Sequence, residues 1–171
     1  NGCTYGGTTT LTKNGAGDDG GTGGNIFQGV TTITNAGSGY LLTGNVNADQ
    51  FNVATTFNVT GSGRFHFAQN HGGQTTTFAS SALFNINKSG AVDNWGILFC
   101  EGANTAVTFG GTVTIQNSGS FESDTRFVNG TGSSVLYNGA VDVIVTNSNA
   151  ATQLNMGNSG TSTYNQNIQI S

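Results

Sequence analysis

The sequence predicts an all-β chain wound into a parallel β-solenoid (β-helix), with about six coils of roughly 22–31 residues and three short strands in each. Three observations carry this. Gly (28), Thr (26) and Asn (22) make up 76 of the 171 residues, and all three are poor helix formers. An aromatic residue followed by small or polar ones returns at Phe27, Phe51, Phe78, Phe109, Tyr137 and Tyr164, at spacings of 24, 27, 31, 28 and 27. Proline is absent, which suits a stack in which every coil donates N–H groups to the next.

Each coil opens on its aromatic. A short alternating segment follows: Thr32-Ile33-Thr34, Thr56-Phe57-Asn58-Val59, Phe84-Asn85-Ile86, Val113-Thr114-Ile115 and Val143-Ile144-Val145. Thr10-Leu11-Thr12 is an earlier copy and Ile168-Gln169-Ile170 a later one. Period-two alternation predicts a strand with one buried face. Read directly, the outward columns are Thr32, Thr56, Leu83, Thr112, Asp142 and Thr34, Asn58, Asn85, Thr114, Ile144. Next comes a polar corner, as in Gly61-Ser62-Gly63 or Asn117-Ser118-Gly119, where Gly supplies the positive φ of tight turns. The fifth corner, Asn147-Ser148-Asn149, carries Asn instead. A third segment closes the coil: Tyr40-Leu41-Leu42, Phe65-His66-Phe67, Ile97-Leu98-Phe99-Cys100, residues 121–127 and Leu154-Asn155-Met156. Residues 15–24 form the most Gly-rich loop.

No single coil can bury its inner face, so the coils must stack, Phe on Phe and Ile on Val, about 4.8 Å apart. Charged residues are only 7% of the chain. Like charges stacked in register repel, whereas stacked Asn and Thr hydrogen-bond. Residues 1–171 read as a single solenoid segment with no capping helix at either end. The expectation is a piece of a longer rod, or a subunit that stacks on copies of itself end to end.

Composition narrows the function. Lys plus Arg is 4, too few for the basic footprint of a nucleic-acid binder. The net charge of −4 arises from few charges rather than an acidic tail. No apolar run approaches the ~20 residues of a membrane span, and no basic segment precedes an apolar one as in a signal peptide.

The stretch Thr31-Thr32-Ile33-Thr34-Asn35-Ala36-Gly37-Ser38-Gly39-Tyr40-Leu41-Leu42-Thr43-Gly44-Asn45, continuing to Asp49-Gln50-Phe51-Asn52, resembles the repeat units of very large secreted cell-surface proteins of gliding and related Bacteroidota. The likeness is best over residues 8–115. It implies adhesin-like filaments exported through the type IX secretion system, and it implies no catalytic residues.

Candidate chemistry is sparse. Gly17-Asp18-Asp19 and Asn70-His71-Gly72 resemble fragments of β-helix polygalacturonase motifs, but Asp18 and His71 lie 53 residues apart. The other acids, Asp49, Asp93, Glu101, Glu122, Asp124 and Asp142, fall in different columns, whereas acid/base hydrolysis needs carboxylates on one face. Residues 20–27 approximate one calcium nonapeptide with Asn for Asp and no tandem copy, so turn chemistry is the better reading. His66 alternates with Phe65 and Phe67 and is expected at the outer surface. With His71 it is too little for a metal site. Cys3 and Cys100 belong to coils about three rises apart, too far for a disulfide. Cys100, two residues after Leu98, is expected to pack inward, while Cys3 is left able to pair with a coil outside residues 1–171. Asn58, Asn87 and Asn129 open glycosylation sequons that chance alone supplies in so Asn- and Thr-rich a chain. The outward columns are not the regular Thr array that ice binding needs.

The sequence therefore assigns no catalytic, cofactor-binding or metal-ligating residue. It reads as a structural stalk or filament segment of an extracellular bacterial surface adhesin. The partners are neighbouring coils or further copies, without nucleic acid or membrane insertion. The alternative is a polysaccharide-binding β-helix module using Tyr5, Tyr40 and Trp95 near the corners. A carbohydrate-active β-helix enzyme is the weaker third reading.

Overall fold

The structure is a computed structural model and describes residues 2–171. It is a β-solenoid with no helix among those residues. Three parallel sheets run along it, with seven, seven and six strands. The first sheet holds the aromatic-bearing strands Thr4–Tyr5, Ile26–Phe27, Gln50–Phe51, Thr75–Phe78, Ala106–Phe109, Ser134–Tyr137 and Thr161–Tyr164. The second holds Thr9–Lys13, Thr31–Asn35, Thr55–Val59, Ala82–Ile86, Val113–Asn117, Val141–Val145 and Ile168–Ile170. The third holds Asp19–Gly20, Leu41–Thr43, Phe65–Phe67, Trp95–Phe99, Asp124–Arg126 and Leu154–Asn155.

The aromatic register is the one the spacing predicts. Phe27, Phe51, Phe78, Phe109, Tyr137 and Tyr164 stack in one internal column with centroids 4.7, 4.6, 4.6, 5.1 and 4.8 Å apart. Tyr5 begins that column, 4.8 Å from Phe27 with 4° between the planes. Phe57 and Phe84 stack on the second sheet's inner face and meet the column edge-on. Offset and edge-to-face rings at these separations each add about 0.5–1.5 kcal/mol beyond the area they bury.

The corner between the first and second sheets is three residues long in every coil: 6–8, 28–30, 52–54, 79–81, 110–112, 138–140 and 165–167. Variation in coil length falls on the other two corners and on the strands of the first and third sheets. The short corner packs so closely that a Cβ on Gly29 would stand 2.4 Å from the Gly7 carbonyl oxygen, and one on Gly139 2.3 Å from that of Gly111. Only a residue without a Cβ lets the backbones approach there.

Two expectations are corrected, and the reason behind a third. Residues 15–24 are not simply a loop: Asp19–Gly20 pairs with Leu41–Leu42, and Gly23 bridges Asn47. Ladder bonds from the next coil impose strand geometry on residues of low strand propensity. In the fifth coil the outward columns pass through Thr114 and Gln116, not Thr112 and Thr114, because Ile115 rather than Val113 sits under Phe84. The columns also begin earlier, at Thr10 and Thr12. Finally, Cys100 is buried, but not by the alternation that carries Leu98. Leu98 pairs with outward-pointing His66, and Cys100 reaches the core because the chain turns left-handed there, with φ at 51°.

The fifth corner shows what Asn does in place of Gly. The Asn147 amide lies within donor reach of Asn117 Oδ1 (3.1 Å), the Ser118 and Phe121 carbonyls (3.2 and 2.9 Å) and Ser123 Oγ (2.9 Å). It ties its own corner to that of the coil before.

Candidate functional site

Charge is segregated around the solenoid. The first sheet's strands contain no charged residue, and the second sheet's contain only Lys13, which is buried, and Asp142. Their outward positions are Thr, Asn, Gln, Ser and aliphatics, joined in places by side-chain ladders. Asn85 donates to Asn58 Oδ1 (2.9 Å), and Asn58 to Thr34 Oγ1 (3.3 Å).

The third sheet differs. Its outward column runs Leu42, His66, Leu98 and Arg126, and the first three are buried, at 3%, 1% and 3% exposure. This corrects the surface position expected for His66. The ring does point away from the core, but a second layer of side chains covers it. Tyr40 lies flat on the imidazole at 4.7 Å. Arg64 Nε donates to His66 Nε2 (2.5 Å) and its guanidinium sits 5.5 Å from the Tyr40 ring centre. Glu101 pairs with His66 Nδ1 and takes a bond from Gln69 (3.1 Å). Arg64 also pairs with Asp93. Lys88, buried beneath the corner, donates to the carbonyls of Asp93 (2.8 Å) and Trp95 (2.9 Å) and stands 3.4 Å from Asp93 Oδ1. Burial brings its ammonium pKa down to about 8, with the nearby Arg64 charge adding to the fall. Arg126 stacks on Trp95 at 3.7 Å. Asp124 is also buried. Desolvation raises its carboxyl above the usual range, against the bond from the Gln153 N–H (2.7 Å).

A second cluster was not legible in sequence. Asp49, 1% exposed, accepts from the Asn25 and Gly44 N–H groups (2.8 Å each) and from Asn25 Nδ2 (3.1 Å). Burial raises its pKa, and the bonds from Asn25 and Gly44 oppose the rise. Thr76 Oγ1 lies beside it, accepting from the Asp49 N–H (3.3 Å) and 3.2 Å from Nε2 of His71, also 1% exposed. The cluster is buried and ties the corner together across coils. A cavity of about 370 Å³ is lined by residues of the first two coils, among them Tyr5, Leu11, Lys13, Asn25 and Asp49.

The remaining candidates disperse. Asp18 and Asp19 are exposed in the first coil, and Asp18 caps the Tyr40 N–H (2.9 Å), away from His71. Among the described residues, no three His, Cys, Asp or Glu side chains stand close enough to hold a metal ion. Both cysteines are free. Burial pushes the Cys100 thiol up to about 12. Asn58 and Asn129 use their amides in inter-coil bonds. Of the aromatics considered for glycan stacking, Tyr5 belongs to the internal column, Tyr40 has His66 and Arg64 against its ring, and Trp95 is covered by Arg126. No family model matches this chain, and no curated protein or solved structure matches it significantly.

Proposed function

We propose that the chain is a stalk or filament segment of an extracellular surface adhesin, a stiff spacer that continues coil on coil into its neighbours and catalyses nothing. The observation that carries this is the unbroken internal column from Tyr5 to Tyr164, flanked by parallel ladders with no gap in the stack. Stacked repeats of this kind derive stability from nearest-neighbour interfaces, so length is added without redesigning the core. The outer chemistry agrees. Two faces are almost free of charge, and on the third the side chains are spent on one another. Tyr5 belongs to the internal column, Tyr40 and Trp95 carry His66 and Arg126 against their rings, and Phe121 is the exposed aromatic that remains.

The test has two arms on one protein. Spin labels at Thr10→Cys and Gln169→Cys, with Cys3→Ser, report the distance across six coil steps of one outward column, about 29 Å at ~4.8 Å per step. A single narrow distance supports a stiff spacer, and a broad or bimodal distribution overturns it. The same protein on a glycan array is expected to retain no carbohydrate. Saturable retention of one glycan class would replace the stalk with the polysaccharide-binding module.

A further inference from the structure

The side chains over His66 form a charged network that joins three successive coils directly: Tyr40 from the second, Arg64 and His66 from the third, Asp93 and Glu101 from the fourth. Its hydrogen bonds fix a protonation state. Arg64 Nε is a donor only, so His66 Nε2 must offer its lone pair. The ring proton is then on Nδ1, where it meets the Glu101 carboxylate. The Arg64 bond is one that only the neutral imidazole can accept.

We propose that Arg64, His66, Glu101 and Tyr40 form a proton-operated latch, closed while His66 is neutral and opened when His66 takes a proton on Nε2. That proton turns the acceptor into a donor facing the Arg64 Nε–H, and it sets a second positive charge against the guanidinium. Arg64 must leave. It has somewhere to go, because its other end is already paired with Asp93 on the fourth coil's corner. Glu101 stays with Nδ1–H, held by the Gln69 amide. When Arg64 leaves, the Tyr40 ring loses the guanidinium 5.5 Å from its centre and keeps His66 stacked on it at 4.7 Å. Regulation of this face rests on the stalk reading only in that the latch ties coils together. Its chemistry stands whether or not the rod is a stalk.

The surrounding charges bear on the step from every side. Asp18 of the first coil holds the Tyr40 backbone. On the fourth coil Lys88 shares Asp93 with Arg64. From the fifth, Arg126 lies on Trp95, and Asp124 and Glu122 favour the Lys88 charge. The proton has a path, since the Arg64 and Glu101 side chains are 23% and 26% exposed above a His66 side chain that is 2% exposed. Histidine is the side chain whose charge ordinarily changes between pH 5 and 8, and the chain has only two. The other, His71, faces Thr76 and Asp49 across a different corner.

Heteronuclear NMR of the intact chain from pH 8 to pH 5 tests the proposal. At pH 8 the His66 ring should show the Nδ1–H tautomer, with a protected Arg64 Nε–H resonance. On acidification the ring should become doubly protonated, the Arg64 resonance should broaden into exchange with water, and the Tyr40 ring protons should shift together with it. His66→Gln offers an acceptor to Arg64 and a donor to Glu101 without titrating, so its Arg64 resonance should persist at pH 5. His71→Gln should leave the step as in the parent chain. A His66 that stays neutral down to pH 5, or an Arg64 Nε–H that survives His66 protonation, overturns the latch. So does a step abolished by His71→Gln. The titration of the parent chain decides the matter even if His66→Gln does not fold.

Discussion

Ala68 and Cys100 occupy the same place in successive coils, immediately after the paired Phe67 and Phe99, and both are left-handed, with φ of 60° and 51°. Gly44 holds that place one coil earlier, after Thr43, with φ of 64°. The corner after the third sheet is thus one backbone shape repeated with three different side chains. Gly adopts it freely, while an L-residue does so at a cost of about 1–2 kcal/mol.

Substitutions in this column should therefore be asymmetric. Ala68→Gly relieves the strained φ but frees the unfolded chain and gives up a buried methyl, so its net effect in urea unfolding is expected within about 1 kcal/mol of zero. Gly44→Ala adds the strain and places a Cβ 2.5 Å from Thr76 Oγ1. It should destabilise by about 2 kcal/mol or more. Equal losses from the two would contradict the shared corner.

Phe78 sits mid-column between Phe51 and Phe109 and touches Phe57, Phe67 and Phe84 as well. Phe78→Ala should cost about 3–5 kcal/mol, the range for a fully buried aromatic. Tyr5→Ala, at a half-buried ring with one stacked neighbour, should cost visibly less when both are measured by the same denaturant titration.

The two thiols should react very differently. Cys3 is exposed, whereas Cys100 is buried with its pKa near 12. The thiolate is the reactive form. An aromatic disulfide reagent at pH 8 should titrate one thiol per folded chain at once and the second only on unfolding. Rapid loss of both would mean that the corner opens readily.

Lys88 should make stability rise with pH in the alkaline range. Its folded pKa, lowered to about 8 by burial, lies below the ordinary 10.5 of the unfolded chain. Between these values the unfolded state binds more protons, so the folded state gains as pH increases. Lys88→Met removes this titration. The stability of the parent chain relative to Lys88→Met should grow from pH 8 to pH 10 in paired urea unfolding curves, and a flat difference would place the ammonium in water.

Much of the fold was legible because its strongest signal is spatially simple. A large aromatic, a three-residue corner and an alternating strand recur at fixed distances, so Phe27, Phe51 and Phe78 could be stacked from spacing alone. The third sheet was harder. Asp19–Gly20 is a strand only because Leu41–Leu42 pairs with it, and no local pattern announces that. The fifth-coil register was ambiguous because Thr112-Val113-Thr114 imitates Thr32-Ile33-Thr34 as well as the true match does. The burial of His66 depends on Tyr40 and Glu101, which lie 26 and 35 residues away in the chain (66 − 40 and 101 − 66). Alternation correctly gave the direction of its ring but carries no information on what covers it. The Asp49–Thr76–His71 cluster likewise joins residues on adjacent coils that share no sequence motif.

The inequality of the corners makes the solenoid a natural carrier of foreign sequence. The three-residue corner is a fixed hinge pin, while the corner entering the third sheet already ranges from five residues (36–40) to eight (87–94), with the second-sheet ladder in unbroken register and one register shift, between Trp95 and Ile97, in the third. Insertions there project sideways at the level of a chosen coil. A run of such coils amounts to a graduated scale, on which peptides grafted at this one edge would be presented at steps of about 4.8 Å, each held apart from the next by the backbone pairing between coils.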